Sequence, residues 1–512
     1  MSLQSLCHNG PYFQEYIVHG IKPIFRGKKI KVNLENELEE MITAYARLVG
    51  SKSLVLEKET FQNNFLNELK QFKTFQTIKS LQELDISPIL IYLKSKKSKT
   101  SKNVNLDDQD SDMDINQIYG FATIDGKKVK IANWKMEPPT IFIGRGDHPL
   151  TGKWKSRIYP KDVTINIAPK CKTIKYDLEW QSKIWEPNAD YLASWKDKLT
   201  RKIKYMRLAN DSDLKQESDK TKFEIARQLC KNYDKVYEYY KNDLDADSLI
   251  IKQIATAIWI LDHFCIRIGN EKSRSNLDSK SQSVVGCCTL KVENVYLTEP
   301  NKLKLQFIGK DSIPFENEMV VNEMVYVNIK NFIKDKSDKD YVFELIDSID
   351  VNEYLKHILP NLSAKVFRTM RSSKLFEQEL KKIEPKTIEE AKQIFENANR
   401  KVAILCNHQK QPTRLNLENM TKLEKRFACW RNEHKKRMDQ KSFKNLKKTE
   451  KQLENKKKNF GIAMGTSKQN YIDPRITIAW AKKFNIPIQK LFSKSLIQRF
   501  SWAASTSRDF KF

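Results

Sequence analysis

The stretch Ile254 to Ile268 is apolar on nearly every side at helical spacing. A helix without a polar face cannot lie on a surface, so other elements must enclose it. It carries Asp262, His263 and Arg267, which excludes a membrane span and leaves a buried core helix. Gly269-Asn270 is expected to close it as a left-handed cap, with Arg267 in the last turn. The 512 residues suggest roughly three domains on a prior of about 150 residues each, so this helix anchors one core among several.

Around that anchor the pattern changes several times. Glu35 to Val49 is amphipathic at the helical period, and Lys29 to Val32 is strand-like. Lys94 to Asn116 turns Lys/Ser-rich and then Asp-rich, the composition of a solvated connector. Tyr119 to Ile167 alternates apolar and polar residues, with turns at Asp125-Gly126 and Gly144-Arg145-Gly146. Helical periodicity returns at Lys220 to Tyr240. Val284 to Leu297 and Lys302 to Ile313 read as strands, the second entering a turn at Gly309-Lys310-Asp311, and helices resume from Val351 to His408. Met420, Leu423, Phe427, Trp430 and His434 are then spaced 3, 4, 3 and 4 within a run of Lys, Arg and Glu. That seam predicts two charged helices folded back as an antiparallel coiled-coil hairpin. A single solvated helix, or a nuclear-localisation-like run at Lys435-Lys436-Arg437, is the alternative. A compact aromatic tail follows.

The formal charge of +28 raises the local concentration of polyanions, nucleic acid before an anionic membrane. Met1-Ser2-Leu3-Gln4 does not open a secretory leader. The eight cysteines include no C-x-x-C pair, and Cys287-Cys288 are neighbours on an expected strand. This argues against a disulfide framework and a zinc module and for a reducing, intracellular setting. A nucleotide-binding P-loop is excluded, because Gly146 to Lys153 has the wrong spacing and Trp154 stands where Ser or Thr belongs.

Five side chains suggest phosphodiester chemistry: Arg267, Lys310, Arg368, His408 and Tyr471. A tyrosine nucleophile conserves the energy of a cut strand in a covalent bond, but its ordinary pKa is about 10, so cations must favour phenolate character. Arginine forks can hold the non-bridging oxygens of the transition state, histidine can donate to one of them, and lysine can protonate the leaving oxygen. Taken singly, each has a plainer role. Arg267 would cap a helix, Lys310 would be a turn lysine and Arg368 a surface ion-pair partner, while His408 would close a helix and Tyr471 would fill a core.

With their flanks, the five resemble the eukaryotic-type (type IB) DNA topoisomerase I family. The likeness runs from Gly10-Pro11 to Phe512. Its most specific blocks are Ile131-Ala132-Asn133-Trp134-Lys135-Met136-Glu137-Pro138-Pro139, Gly144-Arg145-Gly146-Asp147-His148-Pro149, Gly286-Cys287-Cys288, Gly309-Lys310-Asp311-Ser312-Ile313 and Ser467-Lys468-Gln469-Asn470-Tyr471. The resemblance implies that Tyr471 is the nucleophile, that Arg267, Arg368 and His408 stabilise the transition state, and that Lys310 is the general acid. It implies DNA contacts at Arg145, Lys155, Lys272, Asp311, Lys365 and Asn470. No metal or cofactor is implied.

The fold implied is α+β and multidomain, a bilobed clamp on double-stranded DNA. Residues 1–100 and 101–210 would form a mixed α/β cap, 211–416 a mainly helical, tyrosine-recombinase-like catalytic core, 417–458 the coiled-coil linker, and 459–512 a small helical C-terminal domain. The implied enzyme is a monomer that nicks one strand through a 3′-phosphotyrosyl bond, allows rotation and religates. It would act in the nucleus, or in a viral or cytoplasmic DNA-replication compartment, supporting replication and transcription. A tyrosine recombinase shares the five-residue chemistry, and an inactive DNA-binding protein is the third reading. The strand-rich Gly-Arg-Gly lobe and the charged hairpin separate the first from the second. Three departures stand out. Ile143 replaces a basic residue common before Gly144, Met370-Arg371 replaces a different pair after Arg368, and the long charged N-terminal extension of many members is missing.

Overall fold

A computed structural model describes residues 3–30, 33–100, 114–144, 148–171, 178–269, 285–310, 313–410 and 414–512. It divides into two compact units, residues 1–215 and 216–512.

In the first unit, the helix Asn36–Gly50 buries Leu38, Met41, Ile42 and Ala46, the spacing that one apolar stripe requires. These pack with Phe61 and Phe65 of the helix Glu59–Leu69 into one core. The buried Glu39 carboxylate is satisfied by the His19 and Gly20 backbone N–H groups and the Tyr16 hydroxyl. A second core lies under a four-stranded sheet whose order is Ser182–Ile184, Val163–Asn166, Ala193–Lys196, Ile203–Met206, with the first pair parallel and the others antiparallel. The hairpin of Phe121–Ile124 and Lys127–Lys130 turns at Asp125-Gly126, both at positive φ (46° and 78°), the primed turn that matches strand twist. The expected connector is helical at both described ends, since one helix runs Ser87–Thr100 and residues 114–119 form another turn.

Cys7 and Cys171 are joined as a disulfide, which corrects the expectation of none. The two are 164 residues apart and meet because Leu6–Cys7 pairs with the 121–124 strand and the Ala168 N–H donates to the Leu6 carbonyl, a coincidence that no local spacing announces.

The second unit is built around the expected buried helix, Leu249–Phe264, with Ile254, Ala257, Ile258, Ile260, Leu261 and Phe264 in its core. The helix stops four residues before the expected end. Cys265 takes the left-handed conformation (φ 51°), and Asn270 lies outside the described residues. The reason is tertiary. The carbonyls of Arg267 and Ile268 accept from Cys287 N (2.8 Å) and Cys288 N (2.7 Å), so those groups are satisfied by another segment and not by another helical turn. Cys287-Cys288 correspondingly sit in a 3₁₀ turn and not on a strand.

A three-stranded antiparallel sheet follows, Val295–Thr298, Lys302–Gly309 and Ile313–Val320, its middle strand burying Leu303, Leu305 and Phe307 in alternation. The helix Glu323–Ile333 comes next, ahead of the expected resumption at Val351, and then the helices Ser348–Ile358, Ala364–Lys381 and Ile388–Leu405. The two charged helices, Arg414–Arg437 and Gln440–Lys458, lie antiparallel. Cross-pairs join Arg426 to Gln452 (2.7 Å), Glu424 to Lys457 (3.2 Å) and His434 to Ser442 (2.9 Å). The tail contributes Ile472, Ile476, Trp480, Leu491, Phe492 and Phe500 to a separate core with Phe376 and Phe395.

Candidate active site

Arg368 lies in the second turn of the Ala364–Lys381 helix and is 4% exposed, so it is no surface ion-pair partner. A buried guanidinium must find acceptors. One Nη donates to the Tyr471 hydroxyl at 3.0 Å and the other to the Cys406 carbonyl at 2.8 Å, while the guanidinium carbon sits 4.7 Å from the Tyr471 ring centre. Cys406 is the C-cap of the Ile388–Leu405 helix, so the arginine ties that helix end to the tyrosine.

Tyr471 ends the short helix Met464–Asn470. Its main chain is fixed from three sides. Its N–H donates to Ser467 O (2.9 Å), its carbonyl accepts from Ser373 Oγ (3.1 Å), and the same Ser373 hydroxyl accepts from Asp473 N (3.0 Å). Asp473 is fully buried, caps the helix Pro474–Lys483 and pairs with Arg475 at 2.8 Å.

His408 follows the Ile388–Leu405 helix and is 5% exposed, its ring centre 5.2 Å from that of Tyr471. Nδ1 lies 2.8 Å from Ser467 Oγ. Burial, and then the charges of Arg368 and Arg267, push its pKa down to about 3. The ring is therefore neutral, and if Ser467 donates to Nδ1 the proton sits on Nε2. Two buried nitrogens here, His408 Nε2 and Arg368 Nε, have no hydrogen-bond partner among the described residues.

Arg267 is exposed in the irregular run after Cys265, which corrects its expected place in a helical turn. That run is pinned by the Gly286-Cys287-Cys288 block, and a Cβ at Gly286 would meet Gly269 N at 2.4 Å and Arg267 O at 2.9 Å, so only glycine permits the approach. Lys310 is exposed at the turn of the 302–309/313–320 hairpin. The hairpin end is fastened beside His408, because Asn407 Nδ2 donates to the Pro314 carbonyl (3.0 Å) and Pro314 pairs with Ile308.

Lys365 is exposed one turn before Arg368, and Asn470 Nδ2 donates to Thr466 O (3.1 Å) beside the tyrosine. Lys155 belongs to the first unit, where its ammonium pairs with Glu137 and with Asp197 at 3.1 Å. Arg145, Lys272 and Asp311 lie outside the described residues. Sequence reasoning missed Ser467, Ser373 and Cys406, whose partners are 59, 98 and 38 residues away. Their only sequence signal is that small residues stand two to five positions from a candidate.

Set beside known proteins, residues 1–208 match the family model described as eukaryotic DNA topoisomerase I, DNA binding fragment, residues 211–442 that of the catalytic core, and residues 443–512 the C-terminal topoisomerase domain. DNA topoisomerase 1 alpha of Arabidopsis thaliana is 34% identical over 99% of this chain and 59% of its own length, so the chain spans about three fifths of that relative. DNA topoisomerase 1 of Caenorhabditis elegans is 35% identical over 98% of this chain and 66% of its own. The human mitochondrial DNA topoisomerase I is 32% identical over 99% of this chain and 91% of its own. With three models matched in order and such identity along nearly its whole length, the chain belongs to the eukaryotic DNA topoisomerase I family.

Proposed function

We infer that this chain relaxes positive and negative supercoils in double-stranded DNA by transient cleavage of one strand, without nucleotide or metal. The observation that carries the reading is a pair of buried nitrogens, Arg368 Nε and His408 Nε2, that have no partner among the described residues and lie beside a tyrosine hydroxyl already held by Arg368. Buried polar groups normally have partners, and two orphans at one place suit an oxyanion ligand such as a phosphodiester.

In this reading the Tyr471 hydroxyl gives up its proton to water as its oxygen attacks phosphorus, the O–P bond forms, and the bond to the 5′ oxygen breaks. The tyrosine becomes linked to the 3′ phosphate, and Lys310 gives the departing 5′ oxygen its proton. Arg368 and Arg267 neutralise charge on the non-bridging oxygens, and the His408 Nε2–H donates a hydrogen bond to one of them. Religation reverses each step. The cap unit and the core close on the duplex as a clamp, a monomer is sufficient, and the charged helical pair acts as a linker that slows rotation. Lys365, Asn470, Lys272, Asp311 and Arg145 contact DNA, and Lys155 does so by exchanging a carboxylate for a phosphate. The site of action that goes with this reading is the nucleus.

Plasmid relaxation in excess EDTA without ATP tests the reading, beside Tyr471→Phe. The wild type should relax both signs of supercoil and the variant neither. Strict dependence on Mg²⁺, relaxation of one sign only, or an adduct on the 5′ end overturns it.

A further inference from the structure

Three residues after Arg368, on the same helix, stands Arg371. Its guanidinium does not point to solvent as a lone charge. Nε donates to Asp262 Oδ1 at 2.7 Å, and Nη2 donates to Asp262 Oδ2 at 2.9 Å and to the Tyr233 hydroxyl at 2.5 Å. Asp262 is fully buried on the Leu249–Phe264 helix, and its Oδ2 also accepts from the hydroxyls of Tyr233 (2.6 Å) and Tyr240 (2.9 Å). A buried carboxylate with four well-placed donor groups is stable, and a planar fork fixes orientation as a single ammonium cannot.

The placement of this fork matters more than its strength. Asp262 precedes Arg267 by five residues, with only the end of the core helix and the left-handed Cys265 between them. Arg371 follows Arg368 by three, so the two arginines are neighbours on one helix surface and reach to different places, one to Tyr471 and one to Asp262. The fork therefore spans the two elements that carry the two catalytic arginines.

We propose that the Arg371–Asp262 fork is a positioning device for the cleavage reaction, setting the register between the segment that bears Arg267 and the helix that bears Arg368. This rests on the reading of Tyr471 as nucleophile. Arg371 does not touch the reacting atoms. It acts through the spacing of two groups that must grip one phosphate, where a displacement of about 1 Å lowers the rate by about 10²-fold.

The test compares wild type, Arg371→Met and Arg371→Lys on a DNA substrate whose cut end diffuses away, measuring single-turnover formation of the Tyr471 adduct, DNA affinity and thermal unfolding. Arg371→Met should slow adduct formation by about 10- to 100-fold while affinity stays close to wild type. Arg371→Lys keeps the charge and loses the fork, so it should fold like the wild type and remain slow. Wild-type rates in Arg371→Lys overturn the proposal, as does a loss of affinity that matches the loss of rate, which would make Arg371 a DNA contact. Should Arg371→Met fail to fold, the lysine variant alone decides. A wild-type protein that forms no Tyr471 adduct removes the underlying reading and this proposal together, whereas a normal adduct with unaffected variants removes only the positioning role.

Discussion

The two sides of the candidate site are built in opposite ways. On one side Arg368 and His408 are 4% and 5% exposed, and Arg368 already holds the tyrosine hydroxyl before any substrate arrives. On the other, Arg267 and Lys310 are exposed, one on an irregular run and one at a hairpin turn, and each is placed by hydrogen bonds that neighbouring residues make. In the proposed reaction the first side is preorganised, so it would not need to rearrange as charge develops on a phosphate. The second is open to solvent, so in the proposed reaction its two cations would be covered only by the substrate.

The comparison breaks most visibly at Lys310. Lys310→Ala should slow cleavage by about 10²- to 10⁴-fold, the range for a lost general acid. A substrate whose 5′ oxygen is replaced by sulfur, a leaving group that needs no proton, should recover the rate. Failure of that rescue would move Lys310 from proton donor to plain phosphate contact.

Arg368→Ala should cost about 10²- to 10³-fold and, unlike the Lys310 change, resist rescue by the better leaving group. Because Arg368 also bonds the Cys406 carbonyl, the same variant should melt earlier than wild type, while Lys310→Ala should not.

A smaller effect concerns acid. The His408 pKa lies at about 3 against an ordinary 6.5, chiefly through burial, so folding favours the neutral ring. That contribution is complete above pH 6.5 and is lost as pH falls toward about 3. His408→Gln should flatten this part of the stability curve, measured by urea unfolding at stepped pH. An unchanged slope would mean that the ring is more open to water than its surroundings suggest.

Smallest of all, deleting residues 417–458 should leave Tyr471-dependent cleavage intact while altering salt response and processivity. Loss of the adduct in a correctly folded deletion would extend the preorganised side into the charged helices.

The apolar run around Ile258 was legible because a helix without a polar face has only one place to go. Its end was not, since Cys265 stops it for the sake of hydrogen bonds to Cys287 and Cys288, which lie some twenty residues further on. Tyr471, Arg368 and His408 could be named from their flanks, but their partners Ser467, Ser373 and Cys406 are ordinary small residues whose role exists only in three dimensions. The Cys7–Cys171 bond was missed for the same reason. Arg371 was visible as an anomaly, and only the buried Asp262 gives it a purpose.

The shared core of Phe376, Phe395, Ile472, Ile476 and Trp480 has a consequence for how the chain may be interrupted. The segment bearing Tyr471 is held to the rest of its unit by side chains and by the Ser373 bridge, not by the peptide backbone that leads into it through the charged helices. The backbone there serves as a leash that keeps local concentration high. Cut near Met438, at the exposed bend between the two helices, the protein should behave as two mutually recognising fragments, with Tyr471 still seated and the leash severed.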